Sequence, residues 1–511
     1  MSEGATAATT LRDVLAAHVA TQPQRVLWIA PETGATLSYG ELDCQARALA
    51  GQLRAMGLAR GDKVALFLNN GYQAGLLFLA SMIGGYVIAP INLVAQRSHV
   101  AYTLDHSEAK VLFTSREHEA RVHEALAELK RPIELRVIDP DDPALWRGHV
   151  PVELEAVAED DPALLMYTSG TTGMPKGVLL THRNLLAAAR SVAGWHGLSA
   201  EDRVLSSLPL YHINGQVIAT VTSFVAGGSI IAPQRFSVAS WWDHVVRYEA
   251  TWINMVPTII AYLLNAADGG RTYSFPSVRF GRSASAPLPP ADHKAFERIF
   301  GVAVIEAMGM TESASVAFAN PQDPSRRKYG SPGLPCGIKA QVISPDDPEC
   351  KPVADERHGE IMLRGPNVMS GYFNAPELTR KALEPDGWLH TGDLGYRDRD
   401  GFYFIVGRLK ELIIKGGENI APREIDEALL QHPSVLEAAA VGIPDENYGE
   451  DIMACVVLKP GAQCNESELR EFCLRELGRF KTPKTFRFVA ELPKGASGKV
   501  QRLKLIDTAD S

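Results

Sequence analysis

The chain has 511 residues, of which 46% are hydrophobic and 22% charged, and its 51 basic and 60 acidic side chains give a formal charge of −9. That length exceeds what one ordinary core organises, so several domains or subdomains are expected, and the composition is that of a globular rather than a disordered chain. No basic block is present, which excludes nucleic acid as the main partner, because a phosphate backbone calls for clustered positive charge.

In chain order, residues 1–10 are small and polar, with no basic segment followed by an apolar one, so no secretion signal is expected. Residues 63–68 read as a strand, 72–83 as a helix, 86–89 as the next strand, and 111–114 as another strand after a further helical stretch. The uncharged stretch 64–96 is broken by Asn69, Asn70, Gly84, Gly85 and Pro90, and its apolar runs fall short of the roughly 18 residues that a spanning helix needs. It therefore reads as strand, helix and strand in a buried layer, and no membrane span is expected. Residues 229–232 (strand), 238–248 (helix) and 252–256 (strand) repeat the rhythm. Such alternation implies a mostly parallel sheet covered by helices on both faces.

From about residue 337 to 404 the texture changes to short strands (339–343, 360–364, 401–406) separated by turns, as in a small β subdomain. After Arg408 a third texture begins: helices at 422–431 and 466–477, strands at 435–441 and 451–458, a compact α+β unit of about a hundred residues. The expected organisation is a large N-terminal α/β domain over 1–408, made of two doubly wound sheet subdomains and a small β-barrel-like subdomain, followed by a smaller mobile α+β domain over 409–511. The six cysteines (Cys44, Cys336, Cys350, Cys455, Cys464, Cys473) form no CxxC pair, which points to reduced thiols in a cytoplasmic protein. The oligomeric state is left open, a homodimer included.

The strongest local signal is the segment Tyr167-Thr168-Ser169-Gly170-Thr171-Thr172-Gly173-Met174-Pro175-Lys176-Gly177, between an apolar run and the strand-like 178–180. Its glycines let backbone amides turn toward an anion, four hydroxyls add donors and Lys176 adds a charge, a set that can wrap a polyphosphate. A polar surface turn is the plainer reading of such a loop taken alone. It is not a Walker A loop, since Lys176 is followed by glycine. This segment resembles the phosphate loop of the acyl-activating adenylate-forming superfamily, which includes acyl-CoA synthetases, beetle luciferases and peptide-synthetase adenylation domains. Further segments in the family's order extend the resemblance over nearly the whole chain.

Ala307-Met308-Gly309-Met310-Thr311-Glu312 is similar to the family's aromatic-Gly-x-Thr-Glu motif. The resemblance implies that Glu312, with Thr168, holds Mg²⁺ on the ATP phosphates and that Thr311 contacts the adenylate phosphate; Met308 stands where the family has an aromatic against adenine. A carboxylate suits Mg²⁺, which prefers oxygen ligands. Ser285-Ala286-Pro287 matches the small-residue turn beside the adenylate. Thr391-Gly392-Asp393 and Gly407-Arg408-Leu409-Lys410 resemble the ribose-contacting aspartate and arginine and the hinge, with Lys410 as the pivot. The glycine pair Gly416-Gly417, before Glu418, would let the pantetheine of coenzyme A pass close to backbone, and Lys499 resembles the family's terminal lysine that reaches the carboxylate and α-phosphate. A cation is wanted there because two anions are brought together. The implied activity is an ATP-dependent carboxylate–CoA ligase in two steps, through an acyl-adenylate, with ATP, Mg²⁺ and coenzyme A as cofactors.

The acyl pocket implied by the family follows Leu208-Pro209-Leu210-Tyr211-His212 and continues through Asn214 and Gln216, with Asn254, Arg282 and Ser283 from later strands. His212 stands where an amino-acid-activating domain places an aspartate, which argues against that branch, and the polar Asn214, Gln216 and Asn254 do not suit a fatty acid. Arg282 stands where relatives carry an apolar residue. A buried cation needs a partner: either an internal Asp or Glu, or a second anionic group on a short substrate such as a dicarboxylate or sulfo-acid, which its planar fork fits. The alternatives are an adenylate-only ligase loading a carrier protein, a luciferase-like oxygenase, or a ligase for apolar aliphatic or aromatic acids. A non-catalytic relative is disfavoured by the presence of Glu312 and Lys499, and a kinase by the missing kinase motifs.

Overall fold

The computed structural model describes residues 8–168, 174–268, 272–345, 347, 349–494 and 500–507. The chain folds as two compact units, residues 1–340 with 363–389, and residues 341–362 with 390–511.

The first unit is built on two sheets. In one, the strands Val26–Ala30, Ser229–Ile231, Arg203–Leu205, Trp252–Met255, Phe280–Ser283 and Val304–Met308 lie side by side and parallel, with antiparallel strands at both edges. In the other, Pro162–Thr168, Val87–Pro90, Lys63–Phe67, Ala109–Ser115 and Glu134–Ile138 are parallel, and Lys176–Thr181 and then Gly371–Tyr372 add antiparallel strands beside Pro162–Thr168. Between the parallel strands run helices such as Tyr72–Gly84, every residue of which is buried. This is the doubly wound α/β arrangement expected from the alternation of strand and helix patterns. Along Trp252–Met255 the pleat separates two environments. Ile253 and Met255 join an apolar core with Leu205, Trp241, Ile260 and Phe296. Trp252 and Asn254 face the other way, level with Phe280 and Arg282 of the adjacent strand.

The second unit contains the small sheet of Lys339–Ile343, Gly359–Arg364, Leu389–Arg397 and Tyr403–Arg408, and an α+β body. In that body, Val435–Asp445 and Gly449–Leu458 form a long antiparallel pair. The helices Pro422–Leu430 and Glu466–Lys481 contribute Ile425, Leu429, Leu469 and Cys473 to its core. The last strand of the small sheet begins at Tyr403 rather than at residue 401. Asp398 closes a turn over Asp400 and Phe402, and Gly401 takes φ 85°, so strand geometry starts only beyond them. All six cysteines are free, and among the described residues no helix is long and apolar enough to cross a membrane.

One irregularity of the first unit bears on function. Residues Asn214–Val221 form a π-helix, a form that concentrates at functional positions. It starts beside Gly215, where an added Cβ would meet the carbonyl oxygens of Leu208 and Pro209 at 2.6 Å. Both obstacles are backbone, so they cannot swing aside. Gly215→Ala is therefore expected to destabilise the protein by about 1–3 kcal/mol and to lower turnover by displacing the 208–212 segment; unchanged denaturation and unchanged turnover would contradict this packing.

Candidate active site

In open α/β sheets ligands gather outside the carboxyl ends of the parallel strands. The expected site residues of the first unit collect there: Thr168 ends one strand, Asn254 and Arg282-Ser283 lie at the ends of two others, and Met308 ends a fourth. Ser169, Gly170, Thr171, Thr172 and Gly173 of the phosphate loop lie outside the described residues, as does Lys499. The two ends of that loop are fixed, because Thr168 and Lys176 are paired across an antiparallel hairpin.

Beyond Met308 the chain turns sharply. A Cβ on Gly309 would lie 2.1 Å from the Ser315 carbonyl oxygen, so only glycine fits. Thr311–Ser313 then form a short 3-10 turn in which Thr311 and Glu312 are buried. Glu312 is 9% exposed. One of its carboxylate oxygens accepts a hydrogen bond from the Tyr372 hydroxyl at 2.8 Å, and its side chain has no cationic partner among the described residues. A nearly buried carboxylate with one oxygen left over suits a hard cation. Ser285, followed by Ala286 and Pro287, sits just past the Phe280–Ser283 strand with φ 75°, an unusual backbone for a non-glycine residue. Its hydroxyl accepts from the Asn214 amide at 3.1 Å.

The acyl-pocket residues form a connected polar cluster. Asn254 donates to Asn214 at 3.1 Å and reaches Ser206 at 3.5 Å. Gln216 donates to the Leu210 carbonyl at 2.6 Å, and the ring of His212 lies against Tyr211. Arg282 is level with Asn254 on the neighbouring strand and is 2% exposed. Its Nε and Nη1 are buried with no hydrogen-bond partner, and no carboxylate among the described residues pairs with it. Burial pushes its pKa down to about 10, which still leaves it charged at neutral pH, and the one opposing influence is the nearby Cys336 thiol. That thiol cannot serve as counter-ion, since burial drives its own pKa up to about 12. His196, fully buried nearby, is pushed well below its ordinary value, first by desolvation and then by Arg282 and Arg279. Arg279, three residues earlier, is ordinary by contrast: it meets Asp202 at 3.0 Å. Of the two partners open to Arg282 on sequence grounds, the internal carboxylate is thus not found among the described residues. Asn254 Oδ1, Gln216 Oε1 and Ser283 Oγ are also buried without partners among the described residues.

In the second unit, Asp393 and Arg408 face each other across antiparallel strands with Nε and Oδ1 2.6 Å apart. The aspartate is buried and the arginine half-exposed, so the two residues expected at a ribose are brought together. Lys410 lies in the short turn Leu409–Glu411. Gly416 and Gly417 both take left-handed backbone, with φ of 57° and 84°, just before Glu418. Lys415, immediately upstream, is buried against Asp451 at 2.5 Å. Two contributors escaped the sequence reading. Ser206 extends the Asn254 cluster, and Tyr372 holds Glu312 from sixty residues away. Neither has a local pattern that announces it.

Comparison with known proteins identifies the family. The AMP-binding enzyme family model matches residues 15–373, and that of the AMP-binding enzyme C-terminal domain matches residues 424–499. A sulfoacetate–CoA ligase of Cupriavidus necator is 52% identical over 504 residues, 98% of each chain. An oxalate–CoA ligase of Arabidopsis thaliana is 36% identical, over 87% of this chain and 88% of its own. Among solved structures, ATP-bound MatB from Rhodopseudomonas palustris matches with a TM-score of 0.90 at 31% identity, over 98% of this chain and 99% of that one. The o-succinylbenzoate CoA synthetase of Bacillus subtilis, in complex with its acyl-adenylate, gives 0.86 at 32% identity, over 96% and 97%. Its matched domains, its relatives and the arrangement of its strand-end motifs together make this chain a member of the AMP-binding enzyme family, an adenylate-forming acid–CoA ligase.

Proposed function

We propose that the enzyme joins coenzyme A to a short dianionic acid of the sulfoacetate type, and that Arg282 receives the anion remote from the reacting carboxylate. The observation that carries this reading is the buried, charged guanidinium whose Nε and Nη1 find no hydrogen-bond partner among the described residues. Nearly all buried polar groups are hydrogen-bonded, and an unpaired buried charge is among the most unfavourable features a fold can keep. A sulfonate or second carboxylate, an acceptor without donors, is the kind of group these N–H donors lack. The sulfoacetate and oxalate relatives act on acids of this kind by name.

The reaction then follows from the charges. A substrate carboxylate oxygen attacks the α-phosphorus of ATP, the bond to pyrophosphate breaks, and an acyl-adenylate forms. The sulfur of coenzyme A next attacks the acyl carbon, and the carbon–oxygen bond breaks to release AMP. Glu312, with Thr168, would hold Mg²⁺, which when bound neutralises phosphate charge. Lys176 and the 169–173 loop would bind the phosphates, Asp393 and Arg408 the ribose, and Lys499 the charge that develops as two anions meet. The first step needs Lys499 at the phosphates, whereas the second needs room for a thiol. A C-terminal domain over 409–511 that pivots at Lys410 would use one site for both, with Gly416 and Gly417 beside the pantetheine. ATP, coenzyme A and free thiols are consistent with work in the cytoplasm.

Pyrophosphate release with MgATP, measured on short dianions and on fatty, aromatic and amino acids with and without coenzyme A, tests the assignment. Turnover is expected on the dianions and only with coenzyme A. Turnover confined to apolar acids would remove the role of Arg282, and release indifferent to coenzyme A would make the enzyme an adenylate-only ligase. Arg282→Met should abolish turnover of the dianion while sparing ATP binding. The same variant should stabilise the ligand-free protein, by about 1–4 kcal/mol in chemical denaturation, because a buried charge without a counter-ion is exchanged for an apolar side chain of similar length. A loss of stability would mean that the guanidinium has an internal partner. Lys410→Pro should impair one or both half-reactions by restricting the pivot; full rates in both would refute the hinge.

A further inference from the structure

Residues 366–373 run as a strap across the first unit and tie together segments far apart in sequence. At its start the Asn184 amide, on the helix that follows the phosphate-loop hairpin, donates to the carbonyls of Pro366 and Val368. The buried Asn367 amide donates to the carbonyls of Ser313 and Val316 at 2.8 and 2.9 Å, closing the turn that carries Glu312. The Met369 N–H donates to the Glu312 carbonyl at 2.8 Å. The strap then joins the hairpin itself: Ser370 N–H to the Leu179 carbonyl at 3.2 Å and Phe373 N–H to the Gly177 carbonyl at 2.7 Å. At the crossing point stands Tyr372, whose backbone N–H is held by the Thr379 hydroxyl at 2.9 Å. Its own hydroxyl donates to Glu312, and its ring lies 5.0 Å from Lys176 Nζ.

From this juxtaposition we infer that Tyr372 is a positioning residue for nucleotide binding: its hydroxyl orients the Glu312 carboxylate toward the metal on ATP, and its ring holds the Lys176 ammonium at the mouth of the phosphate loop. Two physical features set this arrangement apart from simple packing. A carboxylate with one oxygen committed to a neutral phenol keeps its full charge and offers the other oxygen to a cation, whereas a lysine or arginine partner would cancel that charge. An ammonium over an aromatic face keeps its hydrogen-bond donors free for phosphate while its position is restrained, which a carboxylate partner would not allow. The strap fixes the phenol relative to both groups at once, so the spacing of metal ligand and phosphate ligand is set before nucleotide arrives.

The inference rests on the reading of Glu312 as the metal ligand, and the experiment separates the two. Calorimetric binding of ATP to the full-length protein is measured with Mg²⁺ and with EDTA, for the wild type, Tyr372→Phe, Tyr372→Leu and Glu312→Gln. Tyr372→Phe keeps the ring and is expected to weaken MgATP binding by about tenfold, the loss of one hydrogen bond to a charged group, while leaving metal-free ATP unchanged. Tyr372→Leu should weaken metal-free ATP as well, because Lys176 loses its support. In the Glu312→Gln background, Tyr372→Phe should add nothing. If Glu312→Gln weakens MgATP and Tyr372→Phe does not, the positioning role is wrong and the metal reading stands. If Glu312→Gln itself leaves MgATP binding unchanged, the metal reading is wrong and the inference falls with it. Equal losses for Tyr372→Phe with and without Mg²⁺ would mark a purely structural role and overturn the inference.

Discussion

Desolvation of the Arg282 guanidinium is the constraint on which the proposed acyl pocket depends. A charge that is 2% exposed and lacks a carboxylate neighbour among the described residues opposes folding. Its neighbours are a thiol held neutral and an imidazole kept uncharged by the same burial. The opposite face of the same strand pair is densely apolar: Ile253 and Met255 belong to the core with Trp241 and Phe296. On the proposed reading, stability is held on one face of the strand pair and substrate selection on the other, as the pleat permits. A site assembled in this way discriminates by absence. A substrate without the second anion leaves the guanidinium unpaired, and such sites reject the lacking analogue far more strongly than an apolar pocket rejects an extra methylene.

The same economy governs the nucleotide side. Parallel strands deliver Thr168, Arg282, Ser283 and Met308 to one edge of their sheets, and local backbone devices then aim the chain. Gly309 allows the turn toward Glu312, and Ser285 accepts left-handed backbone beside the Asn214 amide. The strap at 366–373 links the two sheets' contributions, so that groups nearly two hundred residues apart in sequence keep a fixed spacing. Ser285, with its left-handed backbone, and Arg282, with nitrogens unpartnered among the described residues, are a strained and an unpartnered feature at the candidate site, and functional sites are a usual place for both.

Much of this was legible in the sequence, and for identifiable reasons. The βαβ rhythm of residues 63–114 and 229–256 reflects strands buried on both faces, and the strands and helices of those stretches start and stop within one or two residues of the expected ones, whereas the strand from Val435 and the helix from Glu466 run four residues further than expected. The loop at 167–177 and the Met308–Glu312 turn are short contiguous signals, each readable from local chemistry. Arg282 stood out because the family that the chain resembles carries an apolar residue at its position. What the sequence withheld was relational. Whether Arg282 had an internal carboxylate depended on the register of three strands, and the bond from Tyr372 to Glu312 depends on a strap whose partners are all distant. The late start of the strand at Tyr403 turned on an Asp398 side chain capping its own loop, a local competition that alternation of apolar residues does not reveal.

Direct recognition between Arg282 and a remote substrate anion is best probed by a thermodynamic cycle on binding. The affinities of a non-hydrolysable sulfoacetyl-adenylate analogue and of its propionyl counterpart would be measured for the wild type and for Arg282→Met. A coupling on the order of tenfold to a hundredfold is expected, with the variant losing affinity for the sulfonate compound alone. A coupling factor near one, with both compounds affected alike, would rule out that recognition.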